Sequence, residues 1–67
     1  PFLQAYAFMG DEEEFKAAAI KMDISPFARR EACRSLLRMQ ETGVTFTSRI
    51  QSMMDERLCR GWEPLTP

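Results

Sequence analysis

The sequence predicts an all-α protein, a small three-helix bundle with room for a fourth helix at the N-terminus, completed by self-association. Three observations point there. Apolar residues recur at helical spacing rather than alternating. Each periodic stretch opens on a capping residue, Asp11, Ser25 and Thr47 or Ser48, and the last two close at Gly43 and Gly61. The chain has only 67 residues, of which 45% are hydrophobic. A domain this short encloses little core and commonly needs a disulfide, a metal or a second chain.

Residues 1–10 form an apolar N-terminal segment, FLQAYAFM between Pro1 and Gly10. Phe2, Tyr6 and Met9 fit helical spacing, while Phe2, Tyr6 and Phe8 fit a strand. Pro1 before and Gly10 after favour a short helix. The next helix spans about 11–22. Asp11 is its cap, with Glu14 placed as in a capping box. Phe15, Ala18, Ala19 and Met22 make a narrow apolar stripe.

The helix over 26–42 starts with Ser25 as cap and Pro26 at the first position. Ala28, Ala32, Leu36 and Met39 share one face, flanked by Cys33 and Leu37, while Arg30, Arg34 and Arg38 line the opposite side. The last helix covers 47–60, with Ile50, Met53, Met54 and Leu58 facing inward. Arg57 then falls inside the apolar arc, where it must snorkel outward or pair with a carboxylate, most plausibly one of Asp11–Glu14. Residues 62–67, WEPLTP, read as an extended tail, because the prolines stop the helix. All 67 residues are expected to form a single small helical domain.

Composition narrows the function classes. The chain has no His, which removes the usual general base near neutral pH and the commonest metal ligand. Cys33 and Cys59 lack zinc spacing and are too few for a disulfide scaffold. They are read as reduced helix-flank packing residues of a cytoplasmic protein. No catalytic set, metal set or cofactor motif is present, so the expectation is a non-enzyme without cofactor. No apolar run is long enough to cross a membrane.

The expected function is therefore a non-enzymatic protein–protein interaction module, acting as a homodimer or as a small regulatory subunit of a larger assembly. The candidate partner-binding residues are Arg30, Arg34, Arg38, Met54, Arg57 and Trp62. Methionine adapts to varied partners, and Met54 lies near the edge of its stripe. Trp is enriched at binding hot spots, although folding of Trp62 back over the core is the favoured reading, because a small core gains much from one ring. The alternative is a small helical nucleic-acid-binding regulator that uses the Arg row. It is not favoured, since Glu31 and Glu41 dilute the row and the net charge is −1. A helix-turn-helix centred on Gly43 also fails, with Met39 too large and Arg49 polar at packing positions.

Overall fold

The computed structural model describes residues 2–61, and every regular element among them is helical. The helices are α1 (Phe2–Met9), α2 (Glu12–Met22), α3 (Pro26–Glu41) and α4 (Ser48–Met53). A π-helical turn, Met54–Leu58, continues α4 without a break. The N-terminal segment is thus helix rather than strand, giving four helices. Pro1 and the tail at 62–67, with Trp62, lie outside the described residues.

The expected caps form. The Glu14 amide donates to Asp11 Oδ1 at 3.3 Å, the Ala28 amide to Ser25 Oγ at 3.0 Å, and the Ile50 amide to Thr47 Oγ1 at 3.2 Å. The Asp11 amide donates to the Tyr6 carbonyl at 3.0 Å, so the tight α1–α2 corner takes the donor that a reciprocal capping box would use. Gly10 and Gly43 follow α1 and α3 with φ of +74° and +99°, conformations that a side chain disfavours.

The core gathers Leu3 and Ala7 of α1, Phe15 and Ala19 of α2, and Ala32, Cys33 and Leu36 of α3. Phe46, Ile50, Met54 and Leu58 complete it. For α2 and α3 this matches the stripes read from the sequence. For α1 it does not: Leu3 and Ala7 face inward, and Phe2 and Met9 are exposed. A helix apolar on nearly every side carries no periodicity to choose its inner face.

Cys33 and Cys59 are joined by a disulfide, with Cα atoms 5.1 Å apart. This corrects the expectation of two reduced thiols. The bond is the staple that a chain of this size calls for. By loop-closure entropy, linking residues 26 positions apart contributes about 3 kcal/mol.

Two further corrections fall in this stretch, and the π-turn explains the one at Arg57. The Cys59 amide donates to the Met54 carbonyl, five residues back, at 2.7 Å. Such a wide turn advances each residue by less than the ~100° of an α-helix. Leu58 therefore comes round over Ile50 into the core, and Arg57 falls outside the apolar arc. Met54, expected near the edge, is 1% exposed.

Candidate functional site

At one end of the molecule, the start of α3 faces the end of the π-turn. Between them lies a groove of about 460 Å³ with four arginines in its lining: Arg29 and Arg30 on one wall, Arg57 and Arg60 on the other. Pro26, Phe27, Leu58 and Gly61 supply the rest, and no acid among the described residues lines it. Ser25 and Pro26 start α3 here, which fixes where Arg29 and Arg30 project. The π-turn swings Arg57 out of the core toward them. The disulfide holds the two walls together, since Cys59 sits between Arg57 and Arg60 in sequence and Cys33 lies one turn beyond Arg29 and Arg30.

Asp23, just past α2, is the counter-charge beside the groove. Arg57 Nη2 donates to Asp23 Oδ2 at 3.3 Å, and Arg29 Nε lies 3.6 Å from Asp23 Oδ1. Arg57 thus pairs with Asp23, not with an acid of 11–14 as the sequence suggested. The Arg57 side chain is 48% exposed, so this pair contributes at most about 1 kcal/mol. Arg29 Nε is buried and has no hydrogen-bond acceptor among the described residues.

The row Arg30, Arg34, Arg38 is exposed throughout, but it is not one surface. Arg30 belongs to the groove, whereas Arg34 and Arg38 flank a separate shallow depression with Glu31 and Ser35. Among the candidate residues, the structure thus brings together Arg30 and Arg57. It leaves Arg34 and Arg38 apart and withdraws Met54 into the core. Arg29 and Arg60 were not singled out from the sequence. Arg29 is adjacent to Arg30, but Arg60 reaches the groove only through the turn and the disulfide, and neither shows in helical periodicity.

A second feature occupies the same end. Phe2, Ile24 and Phe27 are 72%, 86% and 74% exposed. They come from the start of α1, the α2–α3 corner and the start of α3. Phe2 shares a surface groove with Lys21 and Met22 at the end of α2, which places α1's start beside that corner.

At the opposite end, polar contacts fasten α4. Gln40 Nε2 donates to Gln51 Oε1, and Gln51 Nε2 donates to Asp55 Oδ1 at 3.1 Å. Arg49 lies 3.8 Å from Glu12. Among the described residues, no group of three or more potential ligands is placed to hold a metal ion, and no helix is long and apolar enough to cross a membrane. Comparison with protein-family models, with curated proteins and with solved structures gives no match.

Proposed function

We propose that the chain is a non-enzymatic protein–protein interaction module, a small helical bundle that works as a homodimer or as a small subunit of a larger assembly. The observation that carries this reading is the exposure of Phe2, Phe8, Met9, Ile20, Ile24 and Phe27 on so small a molecule. Large apolar side chains left on the surface cost solvation unless a partner covers them. An aromatic such as Phe27 beside arginines is the composition that interface centres favour.

The nucleic-acid reading draws less support. Arg34 and Arg38 stand apart from the four-arginine groove, and the net charge of −1 works against a polyanion. The disulfide also bears on compartment. The cytoplasmic expectation rested on reduced thiols. With Cys33 and Cys59 bonded, an oxidising compartment is the better proposal.

Mass in solution tests the homodimer. Light scattering is expected to give twice the chain mass at about 100 μM, falling toward the monomer on dilution. Ile24→Glu should shift the balance to monomer without changing the helical circular dichroism. A wild-type monomer at that concentration removes the homodimer.

A further inference from the structure

Resting on the homodimer reading above, we infer that the outer face of α1 is the contact between two copies of this chain, packed antiparallel about a two-fold axis at Ala5. The argument begins with the face itself. Leu3 and Ala7 point into the core. At ~100° per residue, Ala5 then lies at the middle of the opposite side, with Phe2 and Met9 along one flank and Phe8 along the other. Ala5 is exposed, and Phe2, Phe8 and Met9 are 72%, 68% and 65% exposed. The helix thus turns an apolar surface outward.

Charge selects a second copy as the occupant. A two-fold contact sets each residue at the axis against its own image. A charged residue there meets its like, which opposes association. Among the described helices, α1 alone carries no charged residue. The charges beside it also suit one orientation. α2 runs back along α1 from the Gly10 corner, with Glu12, Glu13 and Glu14 in its first turn and Lys21 in its last. The acidic turn therefore follows the Met9 end of α1, whereas Lys21 shares a surface groove with Phe2 at the other end. An antiparallel pair lays the acidic end of each copy beside the Lys21 end of the other. A parallel pair would bring both acidic turns to one end of the assembly.

Spacing and area agree with this pairing. Phe2 stands three residues before Ala5, and Phe8 and Met9 three and four residues after it. In antiparallel register, Phe2 of each copy meets Phe8 and Met9 of the other, and the two Ala5 residues let the helices approach closely. At about 200 Å² for a fully exposed side chain of this size, these three large residues present about 400 Å² per chain. Ile24 is 86% exposed at the corner beside the Phe2 end, so it faces the partner's Met9 end. With Ile24, the area covered in the pair reaches about 1,100 Å². Specific, stable interfaces begin near about 1,200 Å², so the pair is weak and reversible. Ile24→Glu opposes it by setting an acid beside the partner's acidic turn.

The test places charge at the axis. Ala5→Glu and Ala5→Lys introduce good helix formers at an exposed position, so circular dichroism should not change. Light scattering at about 100 μM is run on each variant alone and on the two mixed in equal amounts. Each alone should dimerise at least about tenfold more weakly than the wild type. The mixture should recover the dimer mass, because Glu of one copy then meets Lys of the other. A wild-type dimer that persists in Ala5→Glu overturns the α1 contact and leaves the homodimer standing on another surface. Two monomeric variants whose mixture stays monomeric overturn the two-fold pairing at Ala5. If either variant loses helical circular dichroism, Phe8→Gln decides. It removes a contact twice in a two-fold pair and should weaken the dimer at least about tenfold, and an unchanged dimer overturns the inference. A wild-type monomer at this concentration removes the homodimer and the α1 contact together.

Discussion

Phe15 has no exposed surface, and a molecule with so small a core has few neighbours able to move into the space it fills. Phe15→Ala should cost about 3–5 kcal/mol, read from the midpoint of denaturant unfolding at constant slope. The arginines should behave very differently. Arg34 is exposed, and Arg34→Gln should change stability by less than about 0.5 kcal/mol. Arg57→Met removes a half-exposed ion pair with Asp23 and should cost no more than about 1 kcal/mol. A loss of several kcal/mol in either arginine variant would mean that these charges hold the fold rather than face a partner. At this scale the inward positions of α2 and α3 were legible, because Phe15, Ala19, Ala32 and Leu36 recur at helical spacing in helices whose other positions carry charges, Glu12–Glu14, Lys16 and Lys21 in α2 and Arg30, Arg34 and Arg38 in α3. Leu3 and Ala7 were not, because α1 has apolar residues on every side.

The helix starts were the most legible elements. Asp11, Ser25 and Thr47 each present an oxygen to an otherwise unpaired amide. Ser25→Ala should cost about 1 kcal/mol, read from thermal melts. Gly43→Ala isolates a different cost. Nothing lies within 4 Å of the added Cβ, so the penalty is conformational alone at φ +99°, about 1–2 kcal/mol. The end of α4 resisted prediction for a geometric reason. Counted at ~100° per residue from Ile50, Cys59 points nearly opposite the core and away from Cys33. Only the wider turn at Met54–Leu58 brings the two sulfurs onto facing sides. A periodic count assumes a constant pitch, so it misplaced Arg57 and hid both the disulfide and the arginine groove.

For the whole molecule, the covalent link alters what its size implies. The disulfide closes a long loop and contributes about 3 kcal/mol, a large share of the stability a domain this small can hold. Reduction should lower the melting temperature by roughly 12–24 °C, since about 1 kcal/mol shifts it by 4–8 °C in a domain of this length. Cys33→Ser should match the reduced protein, and a melting point unmoved by either change would show that the bond adds nothing. Because the staple already stabilises one chain, melting should depend only weakly on protein concentration even where a dimer forms. Small size alone made a partner expected from the sequence. The exposed Phe2, Ile24 and Phe27 are a separate and more direct reason, visible only once the helices are placed.

The π-turn also has a meaning in chain length. A helix containing one such turn is an ordinary α-helix that has taken in one extra residue and absorbed it locally rather than pass the rotation on. The Met54–Leu58 segment therefore holds one residue more than a regular helix of the same course needs. Removing exposed Glu56 should let the segment relax to a regular helix with Leu58 still inward and Cys59 still facing Cys33. Mass spectrometry under non-reducing conditions should find the disulfide intact in the shortened chain, whereas free thiols would show that the extra residue is indispensable. Between the two lengths, what changes is where the arginines stand. A chain one residue shorter would keep this core and this bond with a differently shaped groove.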